Sequence, residues 1–288
     1  MTSQPSYMQL SHDVSLEKPF AIKHDCWKQA GPGLSDMHFE VELGIVRQGT
    51  MSRECQGRHH TYTAGSIWLH GIWEPHSAKV IEPPLDLVVI HAYPPALSGQ
   101  FYTEYPECDF LHPFTLPFNL RPKGHIIPRP EFDAFLARID ALGTPDSSAG
   151  RLKLRLLTLQ LLMEINERLD LPARSIDKET TRRFQGGIEA VFNAIILGKT
   201  WKSAGVMARD TGMSRNGFCL YFKRLTGISY TQFVLRHRLN GTAAALATSE
   251  TPIKRIASDW GFCDISHFYR RFGEFYGCTP LEFRNRRL

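Results

Sequence analysis

Six cysteines (Cys26, Cys55, Cys108, Cys219, Cys263 and Cys278) lie scattered through 288 residues, and no two of them form a C-x-x-C pair. That fits free thiols in a reducing cytosol rather than a disulfide framework. Long apolar runs are also missing, so no membrane-spanning segment is expected. The opening stretch, "MTSQPSYMQLSHDVSLEKPF", has no basic region followed by an apolar one. Export is therefore not expected, and a cytoplasmic location is. Nor is there a Ser-His-Asp pattern, a phosphate-binding glycine loop or a cysteine-nucleophile context. Each absence removes a class of chemistry.

What remains is an ordinary globular composition, 42% hydrophobic and 22% charged, long enough for two cores. The net charge of +5 conceals a division. Residues 181–288 hold 17 Lys and Arg against 7 Asp and Glu, a balance of +10, whereas residues 1–180 stand at −5. A basic third on a mildly acidic remainder points to a C-terminal polyanion binder and an N-terminal part with another task.

Residues 20–120 read as β-rich. "HFEVELGIVRQG", "GSIWLHGIW" and "LDLVVIHAYP" are β-branched or aromatic runs bounded by glycine and proline. Helical spacing follows over 131–142 and 151–169. In the second helix Leu152, Leu156, Leu159 and Met163 form one stripe, and Leu154, Leu157, Leu161 and Ile165 form another. Two stripes need two burial partners, so one packs on the β-rich part while the other is more core or a dimer seam. The polar stretch 171–183 reads as a linker, and the rest looks helical. The expected fold is α+β in two domains: 1–170, the linker 171–183, and an all-α domain over 184–288.

The basic region contains an internal repeat. "VMARDTGMSRNGFCLYFKRLTGISYTQF" (206–233) aligns with "RIASDWGFCDISHFYRRFGEFYGCTPLEF" (255–283). Ala208 and Gly212 match Ala257 and Gly261 at an offset of 49. Phe218, Phe222, Gly227 and Phe233 match Phe268, Phe272, Gly277 and Phe283 at an offset of 50. Each unit pairs a short helix carrying a small alanine with a turn at glycine and a second helix with aromatics at i and i+4. Glycine permits the left-handed turn, and Ser214 or Asp264 can cap the helix that follows. This is helix-turn-helix logic, over about 203–225 and 252–276.

With Phe268 and Phe272 inward, Ser266 and Arg270 stand at the centre of the outer face, flanked by His267 and Glu274. Arginine pairs with guanine O6 and N7, and serine and histidine bond base edges. Arg271, Arg284, Arg286 and Arg287 are expected on phosphates. In the first unit Asn216, Cys219, Leu220 and Lys223 face outward, with Arg215, Lys223 and Arg224 as phosphate candidates. Asn216 can read adenine and Leu220 can touch a thymine methyl. Gly217 inside that helix costs ~1 kcal/mol relative to alanine. Between the units, about 20 helical residues at ~1.5 Å each span roughly 30 Å. Successive major-groove faces lie ~34 Å apart, so both helices can enter consecutive grooves.

These residues resemble the AraC/XylS family of bacterial transcription regulators over roughly 188–287. The pattern positions are Ile256, Ala257, Gly261, Phe262, Ser266, Phe268, Arg270, Phe272, Gly277, Thr279, Pro280 and Arg284. The resemblance implies two helix-turn-helix subdomains on one face of promoter DNA, usually in an activator that works with RNA polymerase. One departure is Leu220, where the family usually offers arginine.

The β region resembles the cupin-like barrel often fused to that unit, with an effector entering its mouth. Phe39, Trp68, Trp73 and Tyr93 are candidate lining residues, or plain core. Metal-binding cupins carry H-x-H-x3–4-E-x6-G and a later histidine. Here Asp36, His38, Glu42 and Gly49 fit apart from aspartate in first place, with His76 as the later residue. Two imidazoles and two carboxylates would suit iron, manganese or zinc, or the pair is vestigial and hydrogen-bonded. The expected function is a non-enzymatic, effector-responsive DNA-binding regulator acting as a homodimer. Two alternatives stay open: a metal-dependent cupin enzyme with a basic DNA-binding tail, and an effector-independent DNA binder.

Overall fold

The computed structural model describes residues 14–15, 17–55, 58–97, 104–105, 108–143, 145–168, 191, 201–226 and 228–285. The linker 171–183, Gly227, Arg286, Arg287 and the side chain of Arg224 lie outside the described residues. Two compact units are present, one of Ser11–Gly33 with Phe39–Arg183 and the other containing Phe184–Leu288 together with Leu34–His38.

The first unit is an antiparallel sheet with helices. Its strands are β1 (Phe20–Trp27), β2 (Gly31–Asp36, of which residues 34–36 group with the other unit), β3 (Val41–Cys55), β4 (Arg58–Thr63), β5 (Ile67–His70) and β6 (His76–Ala92). The long strands β3 and β6 pair twice, Val41–Val46 against Leu87–Ala92 and Met51–Cys55 against His76–Val80, with register shifts between. β5 lies on the first half of β3 and β4 on the second. The hydrogen-bonded order is β1-β6-β3-β4. Among the described residues this path is open and does not close into the expected cupin-like barrel. β1 pairs with Leu85–Ala92 of β6 while β4 pairs with Thr50–Cys55 of β3, so the two end strands sit at opposite ends of the long pair.

Trp68 fills the middle of this sheet. It pairs with Gly44 across β5 and β3, and a Cβ on Gly44 would stand 1.8 Å from the indole. Glycine is therefore the only residue that leaves room for the ring. Around Trp68 pack Val46, Met51, Tyr62, Val80, Leu85, Leu87 and Val89.

Short helices α1 (Pro94–Leu97) and α2 (His112–Thr115) follow, then α3 (Arg129–Leu142) and α4 (Ser148–Glu167). α3 begins after Pro128 with Pro130 in its first turn, where no backbone N–H is needed. Ser147 caps α4, its Oγ accepting from the Gly150 amide at 3.0 Å. Of the two stripes on α4, the one through Leu154, Leu157, Leu161 and Ile165 is buried. On the other, Leu159 is buried and Met163 half-buried, while Leu152 and Leu156 are 56% and 58% exposed.

The second unit is helical where described: α5 (Ala204–Asp210), α6 (Arg215–Thr226), α7 (Tyr230–Thr248), α8 (Ile253–Asp259), α9 (Ile265–Tyr276) and α10 (Pro280–Asn285). A capping box starts α7, with Ser229 and Gln232 satisfying each other's amides. The helix runs 19 residues, about 28 Å at ~1.5 Å per residue. All six cysteines are free. No helix among the described residues is long and apolar enough to cross a membrane.

Candidate nucleic-acid interface

The sequence repeat reappears bond for bond. In the first copy Thr211 N donates to Met207 O, Gly212 N to Arg209 O, and Met213 N to Ala208 O. In the second, Trp260 N donates to Ile256 O, Gly261 N to Ser258 O, and Phe262 N to Ala257 O. Every partner is displaced by 49. Gly212 and Gly261 have φ of 68° and 77°, the left-handed region that glycine enters without penalty. After the one-residue insertion, Phe218 N donates to Ser214 O and Phe268 N to Asp264 O. Ser214 Oγ accepts from Gly217 N at 3.1 Å, and Asp264 Oδ1 accepts from Ser266 N at 2.8 Å. Such caps are each worth ~1 kcal/mol.

Both second helices turn their aromatics inward. Phe218 and Phe222 meet Tyr230 at 5.3 Å between ring centres, and Phe222 meets Phe233 at the same distance. Phe268 packs on Phe262 and Phe272, and Phe272 packs on Phe283. The outward face of α9 carries Ser266, His267, Arg270 and Glu274, all exposed, with Arg271 half-buried beside them. Glu274 lies 3.8 Å from Arg270 and 3.0 Å from Arg271, and Arg271 Nε points to His267 Nε2 at 3.4 Å. Exposed pairs of this kind contribute only ~0–1 kcal/mol, so either guanidinium can leave Glu274 for a base edge or a phosphate.

On α6, Arg215, Asn216 and Lys223 are exposed, Cys219 is half-buried, and Leu220 is 56% exposed. Arg284 also makes a bond within the unit. Its Nη2 donates to the Thr251 carbonyl at 2.5 Å, tying α10 to the segment before α8.

The β-rich unit holds a buried polar cluster that sequence reasoning found only in part. Glu42 sits on β3 directly opposite His70 of β5 and His91 of β6. Its Oε1 accepts from Trp68 Nε1 at 2.5 Å and from Arg53 Nη2 at 2.8 Å. Its Oε2 lies 3.5 Å from Nε2 of both His76 and His91. Arg53 Nε donates to His70 Nε2 at 3.1 Å, and the His70 ring stacks on His76 at 4.1 Å. Burial, reinforced by His76, holds His70 well below the usual imidazole range. Burial also pushes the nearby Cys55 thiol up to about 12.

Glu42, His70 and His76 bring ligand atoms within 4.8 Å of one another, as do Cys55, His70 and Glu74. A divalent ion would find the neutral His70 imidazole here, but the Arg53 guanidinium already occupies one oxygen of Glu42. Asp36 and His38 are buried too, in the segment that groups with the other unit. Arg53, His70 and His91 escaped notice because they converge through strand register rather than chain spacing. Of the four aromatics, Phe39 meets Trp73 at 5.9 Å and Tyr93 at 5.6 Å, while Trp68 belongs to the separate core around Tyr62.

Comparison with known proteins agrees with this geometry. Residues 207–286 match a helix-turn-helix domain family. Sixty-five residues are 32% identical to the HTH-type transcriptional activator RhaR of Mannheimia succiniciproducens, covering 23% of this chain and 24% of that protein. Eighty residues are 30% identical to the RCS-specific HTH-type transcriptional activator RclR of Escherichia coli K12, covering 28% of each. The chain thus spans about a quarter of the length of these curated relatives. Its fold is similar to that of ToxT from Vibrio cholerae, with a TM-score of 0.50 and 13% identity over 93% of this chain and 98% of that one. Over 207–286 the chain is thus similar to the helix-turn-helix domains of bacterial transcriptional activators.

Proposed function

We propose that the chain is a sequence-specific DNA-binding transcription regulator, an activator whose promoter binding responds to a small molecule held in the β-rich unit. The duplicated turn carries this reading: two copies of one bonding pattern, each followed by a helix with an aromatic inner face and an outer face that bears basic residues. In it Ser266, His267 and Arg270 of α9 and Asn216, Cys219 and Leu220 of α6 meet base edges. Arg215, Lys223, Arg224, Arg271 and Arg284 hold phosphates, and Arg284 also anchors α10.

The regions 1–170 and 184–288 act as sensor and DNA-binding domains. The sensor is cupin-like, with Phe39, Trp73 and Tyr93 nearest the effector and Trp68 in the supporting core. An effector regulates only by binding one arrangement of the protein more tightly than another. The exposed half-stripe at Leu152 and Leu156 is the seam for a second copy, and RNA polymerase is the downstream partner. A pool of random duplexes tests the reading. The full-length protein should enrich a defined sequence with strongly salt-dependent affinity, and failure to retain any duplex at low salt would refute it.

The Glu42–His76 pair favours a second reading, in which the β-rich unit also holds a divalent ion. Metal analysis of purified protein decides it: stoichiometric metal lost in His76→Ala supports the ion, and metal-free wild type removes it.

A further inference from the structure

Trp201 stands three residues before α5, outside both copies of the repeat, yet its ring faces the second copy. Its centre lies 5.9 Å from that of Trp260 and 6.2 Å from that of His237. A Cβ on Gly261 would come within 3.0 Å of the Trp201 ring. Arg238 of α7 binds the group together, its Cζ 5.2 Å from the centre of Trp201 and 4.2 Å from that of Phe262. Its Nε donates to the Trp260 carbonyl at 2.7 Å. Burial lowers the pKa of Arg238, so this half-buried guanidinium has lost part of its water and is compensated by two ring faces. Trp201 Nε1 meets no acceptor among the described residues, so faces rather than a hydrogen bond hold the indole.

The next residue touches the other copy. Lys202 O accepts from Tyr230 Oη at 2.7 Å, and Tyr230 packs on Phe218 and Phe222 beneath the first recognition helix. Two consecutive residues therefore reach both reading heads. Neither head needs them for its own core, because each closes on its own aromatics. What the Trp201 cluster adds is a fixed pose of one head relative to the other.

We infer that Trp201 is a positioning residue that, clamped by Arg238 against the Trp260-Gly261-Phe262 turn, sets the spacing between half-elements that the protein accepts in its DNA site. This rests on the DNA-binding reading above. A rigid joint gives the second head a high effective concentration at one spacing and very little at others, whereas a loose joint spreads it over several. One inserted base pair moves the second element by ~3.4 Å and rotates it by roughly 35°, enough for a rigid joint to register.

The test uses full-length protein and its selected duplex, with zero, one or two base pairs inserted between the half-elements. Wild type should lose on the order of 30-fold in affinity at two inserted pairs, as a rigid bivalent contact requires. Trp201→Ala should bind the uninterrupted site about 10-fold more weakly yet lose less than about 5-fold on insertion. Trp201→Phe should restore most of the discrimination. Arg238→Gln, which breaks the clamp from the other side, should repeat the loosened profile and covers the case in which Trp201→Ala does not fold. An equal loss at every spacing in these variants would mean a merely structural role and would overturn the inference. So would a wild type indifferent to spacing. A wild type that binds no duplex would instead overturn the DNA-binding reading itself.

Discussion

Gly241, in the middle of α7, lies directly beneath the ring of Trp260, where a Cβ would come within 2.0 Å of the indole. In an exposed helix, replacing glycine with alanine gains ~1 kcal/mol. Here the sign reverses, because the ring has to move and overpacking of this kind costs about 1–3 kcal/mol. Gly241→Ala should therefore unfold at lower temperature than wild type by calorimetry. An unchanged or raised midpoint would mean that Trp260 is free to swing away.

Arg270→Ala should cost more sequence discrimination than Asn216→Ala. Arg270 stands on a face with His267, Ser266 and Arg271, whereas Asn216 shares its face with the apolar Leu220 and a half-buried cysteine. A good bidentate base contact discriminates by ~1–3 kcal/mol, so the ratio of matched to scrambled affinity should fall about 10-fold or more for Arg270→Ala. A larger fall for Asn216→Ala would reverse the ranking. Lys223→Ala should weaken both duplexes alike and flatten the salt dependence by about one unit of slope.

Much of this was legible from the chain. Ala208 with Ala257, Gly212 with Gly261 and the two Phe pairs encode local geometry, since these turns and helices are closed by bonds between residues five apart at most. The described helices α6 and α9 fall close to the predicted stretches for that reason. Long-range meetings were not legible. Nothing in the spacing of Trp201, Arg238 and Trp260 announces that they share one cluster. Likewise Arg53 meets Glu42 from 11 residues further along β3, across the register shifts that separate its two paired halves. Arg284 illustrates a different gap: nothing in its spacing announces the bond from its Nη2 to the Thr251 carbonyl.

Tyr230 offers a pH-dependent test. Burial pushes its phenol up to about 12 from an ordinary value of 10. The folded state keeps the proton between those values while the unfolded chain releases it. Stability is therefore whole below pH 10 and drains away as the pH climbs toward 12, by about 1 kcal/mol near pH 11. Tyr230→Phe loses the bond to Lys202 O, about 1 kcal/mol at neutral pH, but should lose less on going from pH 9 to 11. Urea midpoints at the two pH values measure this, and identical alkaline losses in both proteins would contradict it.

Leu156→Glu should leave the β-rich unit folded, because its side chain is 58% exposed. Sedimentation should nevertheless shift from dimer to monomer. Wild type that sediments as a monomer, or a variant that remains a dimer, would remove α4 as the seam.

The most direct test of two reading heads on one face of the duplex is a hydroxyl-radical footprint of the full-length protein on its selected site. Two protected patches on the same side, about 10 base pairs apart centre to centre, are predicted. A single patch, or two on opposite faces, would contradict the account.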